Sequence, residues 1–204
     1  MDSIEKLAKL FSEFPGIGER QSKRFVYYIL HRGGGYADTL AHALGALKGN
    51  ISQCPSCFVF FESNGKKFCP LCENPATVRE TLLVVEKDAD YESMKRSHLY
   101  KGLMFVVGGT ITIADKEAGK RIRIRELKKR VEEEMKKGAL KEVILAFSLT
   151  PNGNFTDEFV RQELRQFSES GALKISSLGR GLSTGTEIEY SDSETIKNAL
   201  RNRQ

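Results

Sequence analysis

The sequence predicts an α/β protein in which a parallel sheet follows a helical hairpin and a small cysteine-rich module. Apolar runs typical of buried strands alternate with helix-period stretches after residue 80. All four cysteines fall in two Cys-x-x-Cys pairs, and a Pro-Gly-Ile-Gly turn joins two helical patterns near the start. We therefore predict four parts: a helix-hairpin-helix at 1–50, the cysteine module at 51–76, the sheet domain at 79–176 and a C-terminal strand–helix segment at 177–204.

Composition indicates an ordered chain with a mildly basic character. The 204 residues are 40% hydrophobic, which is enough for a normal core, and the formal net charge is +5 at pH 7. A basic balance favours an anionic partner such as DNA, although many folded proteins are as basic. No signal peptide or membrane-spanning run is visible, so we expect a cytoplasmic protein without a membrane partner.

The first 50 residues carry helical patterns joined by a short turn. Apolar residues recur at helical spacing over 4–14. Pro15 ends this first helix, and Gly16 and Gly18 permit a sharp turn before the second. A third helical pattern at 36–48 could pack on the first two or form a subunit contact.

The second helix presents basic side chains beside the turn. Arg20 and Arg24 are four residues apart and project from one face, and Lys23 lies beside them. The N-terminus of a helix attracts anions, so these cations suit a phosphate backbone rather than base edges. The alternative is an αα-hairpin whose glycines only form the turn and whose arginines are solvated. The predicted DNA contacts are Gly16, Gly18, Arg20, Lys23 and Arg24.

The four cysteines match the spacing of a tetrahedral zinc site. Each pair places two thiolates on a tight turn, and the two pairs can close on one ion. Four sulfur ligands leave no position for water, so the ion would be structural, with one Zn²⁺ per chain. The module is too short to bury a core of its own, so we expect the metal to supply much of its folding energy. The alternatives are paired disulfides, which are rare in a reducing compartment, or free thiols. The predicted ligands are Cys54, Cys57, Cys69 and Cys72.

From residue 81 onwards, apolar strands and amphipathic helices alternate. Such alternation is typical of a parallel sheet with helices on both faces. Ligands of such sheets gather at the carboxyl ends of the strands, where Glu86 follows the first strand and 108–109, two glycines, follow the second. The predicted strands are 82–85, 103–107, 142–147 and 173–175, with helices at 90–97 and around 127–135 and 159–167.

A basic stretch between the second and third strands has two interpretations. Cations of the loop that precedes the helix could line a DNA path, and we predict contacts there. The helix itself, 125–137, is typical of a solvated amphipathic surface neutralised by Glu132–Glu134, and for the helix we favour this second interpretation. The predicted DNA contacts of the loop are Lys120, Arg121 and Arg123, with Lys116 and Arg125 as further members of the path.

The order of hairpin, cysteine module and sheet domain resembles the RecR family of bacterial recombination mediators. The runs 179–181 (Gly-Arg-Gly) and 186–190 (Thr-Glu-Ile-Glu-Tyr) near the C-terminus fit the same pattern. The resemblance covers essentially the whole chain and implies a Toprim-like sheet domain. It also implies that Arg20 and Arg24 contact DNA, that the four cysteines bind zinc, and that Glu86 is the leading Toprim acid.

The resemblance implies a DNA-binding mediator of recombinational repair. Such a protein acts with RecO, and with RecF, to help load RecA on single-stranded gaps covered by single-strand-binding protein. It assembles as a ring-shaped homotetramer that clamps DNA. The surface near Glu86 would then bind RecO as a docking partner instead of serving as a catalytic centre.

The chain departs from the enzymatic Toprim pattern at the acidic pair that holds Mg²⁺. Where the family stretch carries two glutamates, this chain carries Asn152 and Asn154. Amide oxygens are weak, neutral ligands, so a Mg²⁺ site built on Glu86 should be poor. Asp88 or Asp90 could supply a carboxylate, although Asp90 is better placed to cap the next helix. We therefore expect a protein that is not an enzyme; the alternative is a Toprim-type, metal-dependent nuclease or another phosphodiester enzyme.

Overall fold

A computed structural model describes residues 2–114, 117–169, 171–179, 185, 187–191 and 193–201. The chain divides into two compact units, Met1–Ile51 and Ser52–Gln204. Some residues of the motifs named above lie outside this description, namely Lys116, residues 180–181 and Thr186. No helix in the described ranges combines the length and the hydropathy that a membrane span requires.

The N-terminal unit consists of helices α1 (Ser3–Ser12), α2 (Glu19–Arg32) and α3 (Tyr36–Asn50). Asp2 caps α1, because its carboxylate accepts a hydrogen bond from the Glu5 amide at 2.8 Å. The two helices predicted on either side of the glycine turn are therefore present.

The turn between α1 and α2 depends on a residue with left-handed backbone. Gly16 has a φ of 77°, a conformation that glycine adopts without steric cost. The amide of Ile17 donates to the carbonyl of Phe14 at 3.1 Å and closes the turn. Phe11 and Phe25 then pack edge to face, with ring centroids 5.8 Å apart, so α1 and α2 share an aromatic contact.

The cysteine module follows in the sequence. Strands β1 (Ile51–Gln53) and β2 (Phe60–Glu62) pair as a small two-stranded sheet. One helical turn, α4 (Pro70–Glu73), completes the module.

A parallel four-stranded sheet forms the centre of the second unit. Its strands are β3 (Val78–Val85), β4 (Gly102–Val106), β5 (Glu142–Ala146) and β6 (Lys174–Ser177). Their order is β4-β3-β5-β6, and every neighbouring pair is parallel. This confirms the α/β class and the parallel sheet that the sequence predicts.

Helices separate or follow these strands. In the described residues they are α5 (Asp88–Ser97), α6 (Ala118–Arg121), α7 (Ile124–Lys136), α8 (Pro151–Ser168) and α9 (Ser193–Arg201), with a 3-10 turn at Ile188–Tyr190.

One face of the sheet packs against α7 and α8. Leu82 and Val84 of the central strand β3 are fully buried on this face, together with Phe105 of β4. Leu127 of α7 and Leu164 of α8 belong to the same apolar cluster. This arrangement follows from the alternation of side chains along a strand, which sends every second residue to the same face.

The opposite face packs against α5 and the cysteine module. Leu83, Val85 and Val106 form one apolar cluster with Tyr91 of α5 and with three of the four cysteines. From the sequence we expected a bound metal to supply much of the folding energy of this short module. The module also uses this face of the sheet as its core, so apolar burial adds to whatever the metal contributes.

Helix α7 carries a buried ion cluster in place of a wholly solvated acidic face. Glu134 is fully buried, and its carboxylate lies 3.4 Å from Arg130 and 3.5 Å from Arg79. Lys137 also reaches it, at 2.8 Å. This corrects the expectation that Glu132–Glu134 only neutralise a solvated surface. The other two glutamates are exposed and pair with lysines of the same helix, as predicted.

The charges around Glu134 determine its protonation. Burial raises the pKa of this carboxyl, but the hydrogen bond from Lys137 and the charges of Arg130, Lys137 and Arg79 outweigh burial. The pKa therefore lies below its ordinary value of 4.5. Glu134 is consequently ionised in the folded protein near neutral pH.

We predict that Glu134→Gln destabilises the second unit by about 3 kcal/mol, because Arg130 is left buried without its counter-charge. Urea unfolding followed by circular dichroism measures the free energy of unfolding. Glu133→Gln, at the exposed neighbouring position, is the matched control and should change this free energy by less than about 0.5 kcal/mol. Equal effects of the two substitutions would contradict the assignment of Glu134 as the buried counter-charge of Arg130.

We also predict how the effect of Glu134→Gln on stability depends on pH. A carboxyl whose pKa is lower in the folded state contributes stability above its unfolded pKa and loses that stability as the pH falls through the folded pKa. The difference in unfolding free energy between the parent protein and Glu134→Gln should therefore be largest above about pH 5 and shrink below it. A difference that stays constant down to about pH 3 would contradict the ionised state of Glu134.

Candidate metal centre and nucleic-acid interface

The four predicted ligands converge on one point. The Sγ atoms of Cys54, Cys57, Cys69 and Cys72 all lie within 4.8 Å of one another. Those of Cys57 and Cys69 are 3.4 Å apart. A tetrahedral zinc site with metal–sulfur bonds of about 2.3 Å has sulfur–sulfur edges of about 3.8 Å. The cluster therefore has the size of a tetrahedral site, and the four cysteines are positioned to bind a metal ion.

Two tight turns direct the sulfur atoms. In the first, the amide of Phe58 donates to the carbonyl of Cys54 at 2.9 Å. Phe58 has a φ of 65°, which reverses the chain directly after the second ligand. In the second turn, Cys69 precedes α4 as its N-cap and Pro70 begins the helix.

Without a cation, the crowded thiols cannot all ionise together. Hydrogen bonds with the other thiols, Cys57 first, lower the pKa of Cys54, whereas the hydrogen bond with Cys54 raises the pKa of Cys57. A divalent cation would stabilise all four thiolates at once. Three of the four cysteines are almost completely buried, so the centre fits a closed structural site and is consistent with zinc.

Hydrogen bonds fasten the cysteine module to the sheet and to α7. The amide of Val106 donates to the carbonyl of Cys57 at 2.9 Å. Arg130 of α7 donates to the hydroxyl of Ser56, inside the first cysteine turn. No local sequence pattern predicts this contact, because its partners are 74 residues apart.

One edge of the Arg123 guanidinium is bound within the protein. Its Nη1 donates to the carbonyl of Val106 at 3.1 Å, and its guanidinium lies 5.2 Å from the centre of the Phe58 ring. Gly108, with a φ of 96°, runs directly beside it, and a Cβ there would lie 2.8 Å from Nη1. Arg123 is half-buried and also lines the open cavity at the end of β4, so its predicted contact with DNA stays a prediction.

Lys120 and Arg121 are exposed on α6. Lys120 forms an ion pair with Glu117 at 2.5 Å. Together with Arg123 and Arg125 these cations line an open cavity of about 390 Å³ near the carboxyl end of β4. Positive charge at the end of a parallel strand suits an anionic group.

The carboxylate of Glu86 is enclosed at the edge of the sheet. The residue is only 4% exposed, and its Oε1 accepts a hydrogen bond from the amide of Ser148 at 2.5 Å. Glu86 therefore lies at the carboxyl end of β3, as predicted, but offers little of its own surface to a partner.

Asp90, which lines the same groove as Glu86, has a local structural role. Asp90 accepts a hydrogen bond from the amide of Lys87 at 3.0 Å, so it caps the start of α5 as predicted. Asn152 and Asn154 lie in the first turn of α8. Within the part of the chain that the structure describes, the four cysteines are the one group of three or more ligand-type side chains that could hold a metal ion.

A groove of about 510 Å³ lies beside Glu86. Its walls include Met94 and Leu99 from the α5 side and Phe147 and Leu178 from the ends of β5 and β6. Leu99 is 87% exposed and Leu178 is 45% exposed. Apolar side chains that remain open to solvent in a groove are typical of a protein-docking surface.

The glycine turn of the N-terminal unit presents a basic surface. Gly18 is the N-cap of α2, and its carbonyl accepts a hydrogen bond from the amide of Ser22 at 2.9 Å. The first amides of a helix have no carbonyl partner within it, and glycine has no side chain that could cap them. Arg20, Lys23 and Arg24 are exposed on the same first turns. Exposed cations beside such amides suit a phosphate group.

Comparisons with known proteins match the chain along its whole length. A family model described as Toprim domain matches residues 80–176, and one described as RecR, C-terminal, matches residues 181–204. A protein named Recombination protein RecR from Bdellovibrio bacteriovorus is 31% identical, over 100% of this chain and 97% of the relative. The chain belongs to the RecR family. A protein of the same name from Bacteroides thetaiotaomicron is 32% identical, over 98% of this chain and 92% of the relative.

Family membership confirms the resemblance recognised from the sequence motifs. It assigns the sheet domain to the Toprim fold and supports a role in DNA recombination and repair. A third relative of the same name, from Lactobacillus acidophilus, is 31% identical over 98% of this chain and 96% of its own length.

We predict that Cys57→Ser abolishes metal binding and unfolds the cysteine module, because one ligand is lost and a polar hydroxyl enters a fully buried position. Metal analysis of the purified protein should fall from about one ion per chain to about none. Ser56→Ala, at the adjacent residue of the same turn, is the control and should keep the ion. Full metal content in Cys57→Ser would refute the site.

Proposed function

We propose that the protein is a DNA-binding mediator of recombinational repair that works by binding rather than by catalysis. The observation that carries the proposal is the exposed basic surface at the start of α2, in a chain of the RecR family. The phosphate backbone would contact these cations and the helix amides, so binding would not depend on base sequence. The proposed contacts are Gly16, Gly18, Arg20, Lys23 and Arg24.

The cavity lined by Lys120, Arg121 and Arg125 is the second proposed contact with DNA. Its support is the concentration of positive charge beside the carboxyl end of β4. Arg123 belongs to the same proposed contact, since it lines this cavity while one edge of its head group is bonded to the Val106 carbonyl.

The groove beside Glu86 is the proposed docking surface for RecO. Its support is the set of exposed apolar walls around Leu99 and Leu178. The buried Glu86 would add negative charge to this surface rather than a direct contact. With RecO, and with RecF, the protein would help load RecA onto single-stranded gaps covered by single-strand-binding protein.

A homotetramer that encloses DNA is the proposed assembly. Its support is the apolar surface of the N-terminal unit, where Leu30, Leu44 and Leu47 are each more than half exposed. Exposed leucines on adjacent helices are typical of surfaces that become buried between subunits.

We also propose that the bound metal is zinc, one ion per chain, with a structural role in a cytoplasmic protein. Its support is the set of four sulfur ligands and their burial, which leave no open coordination position for water.

A Toprim-type nuclease is the alternative, and the place of Glu86 at the end of β3 is the observation that favours it. The amides at Asn152 and Asn154 make it the weaker candidate, because neutral ligands hold Mg²⁺ poorly. DNA nicking that requires Mg²⁺ or Mn²⁺ and is lost in Glu86→Gln would establish the alternative.

We predict that reversing two charges in Arg20→Glu/Arg24→Glu weakens DNA binding at least tenfold at low salt, because two phosphate contacts become repulsive. The slope of log affinity against log salt should also flatten by about 1.5. Fluorescence anisotropy with a labelled oligonucleotide measures both. Lys6→Glu/Lys9→Glu makes the same change in net charge on the exposed surface of α1 and is the matched control. Equal losses in the two double variants would remove the hairpin from the DNA interface.

We predict a molar mass about four times that of the 22.9 kDa chain by light scattering of the metal-loaded protein. Leu47→Asp should lower the mass, because a carboxylate would enter the proposed subunit contact. Leu149→Asp is the matched control, since both leucines are 58% exposed and Leu149 lies in the second unit. A monomer at every concentration would contradict the clamp.

A further inference from the structure

Helix α2 carries an exposed stripe that continues beyond the proposed DNA contacts. The stripe has one member on each successive turn of the helix, because its residues are spaced four apart. Its members are Arg20, Arg24, Tyr28 and Arg32. All four are exposed, and Tyr28 keeps 53% of its surface in solvent. The contacts predicted from the sequence include only the first two members of this stripe, and the same four-residue spacing continues into the second half of the helix.

The stripe borders an aromatic cavity within the N-terminal unit. The cavity has a volume of about 470 Å³, in the range of small-ligand sites. Phe11, Phe25, Tyr28 and Tyr36 form much of its wall, and Arg24 lines it as well. Arg24 is therefore shared between the basic surface at the start of α2 and the cavity.

The two tyrosines and Arg32 form one cluster at this cavity. The rings of Tyr28 and Tyr36 meet edge to face, with centroids 6.0 Å apart and an interplanar angle of 90°. The guanidinium of Arg32 lies 5.9 Å from the Tyr28 centroid and 5.8 Å from the Tyr36 centroid. Aromatic faces flanked by arginines are the combination on which unpaired bases stack while their phosphates are neutralised.

We propose that this cavity receives an unpaired base of single-stranded DNA, stacked on Tyr28, while Arg20 and Arg24 hold the adjoining phosphates. The inference rests on the proposed DNA binding and adds the preferred form of DNA. A base inside a duplex has both faces covered by its neighbours and cannot enter, so only an unpaired base gains from the cavity. The N-terminal unit therefore prefers single strands to duplex.

Charge distinguishes this occupant from a second copy of the protein. If two copies met through this surface, Arg24 and Arg32 of one would approach the same cations of the other, which opposes association. An anionic polymer with aromatic bases satisfies the cations and the rings together. The experiment must still distinguish DNA from a side chain of another subunit as the occupant of the cavity.

The test compares the full-length, metal-loaded protein and its variants on three DNA ligands. These are a labelled single-stranded oligonucleotide, the same strand with abasic positions, and the corresponding duplex. Fluorescence anisotropy reports the affinities. Tyrosine emission is observable because the chain has no tryptophan, and the part of its quenching that is lost in Tyr28→Ala reports stacking on Tyr28 among the six tyrosines. Tyr27→Ala is the matched control, since Tyr27 is 48% exposed and does not line the cavity.

We expect Tyr28→Ala to lose about tenfold in affinity for the single strand and to bind the duplex as the parent does. Tyr28→Phe should keep the affinity of the parent, because stacking needs the ring and not the hydroxyl. Tyr27→Ala should change the single-strand affinity by less than about twofold. The parent should bind the abasic strand about tenfold more weakly than the intact strand, and only the intact strand should quench its tyrosine emission.

Three results would overturn the inference. Equal affinity of the parent for intact and abasic strands would show that no base is bound, while the DNA-binding proposal itself would stand. A fall in molar mass of Tyr28→Ala in light scattering would show that a second copy occupies the cavity. No salt-dependent binding of any DNA by the parent would refute the proposed function and the inference with it. If Tyr28→Ala fails to fold, Tyr28→Phe and the abasic strand still decide the question.

Discussion

Burial of a parallel sheet on both faces is the constraint on which the second unit depends. One face is covered by α7 and α8, as is usual for such sheets. The other receives much of its cover from the cysteine module, since Cys54, Cys57 and Cys69 share an apolar cluster with Leu83 and Val106. We therefore expect metal binding and sheet packing to be coupled. A bound ion would organise a segment too short to fold alone, and that segment completes the second layer of the core.

The same packing positions the groups that the proposed function uses. Phe58, directly after the second ligand, packs against Phe105 of β4 and under the guanidinium of Arg123. Arg123 in turn donates a hydrogen bond to the end of β4. It therefore links the basic cavity, which it also lines, to the cysteine module. On the next strand, Glu86 is withdrawn from solvent by its bond to Ser148. The carboxyl edge of the sheet thus presents the basic cavity and the apolar groove on which the proposed function rests.

The sequence alone predicted those features that local patterns determine. The cysteine spacing identified four side chains that converge on one point, the apolar runs located the four parallel strands, and the glycine turn located the beginning of the second helix. It could not predict contacts set by the tertiary fold. The burial of Glu134 depends on Arg79 from a distant strand, and Arg123 looked like a surface cation until the fold placed it over Phe58. The helical spacing of Tyr28 was visible in the sequence, but the packing of α3 was needed to show the cavity beside it.

Amide hydrogen exchange before and after removal of the metal tests the coupling of metal and sheet most directly. We expect the central strand β3 and its neighbour β4, above all the amides of Leu83, Val85 and Val106, to lose protection when a chelator removes the ion. The amides of α2 in the N-terminal unit provide the internal reference and should keep their protection. Unchanged protection of β3 and β4 in the metal-free protein would contradict the coupling between metal binding in the cysteine module and packing of the sheet.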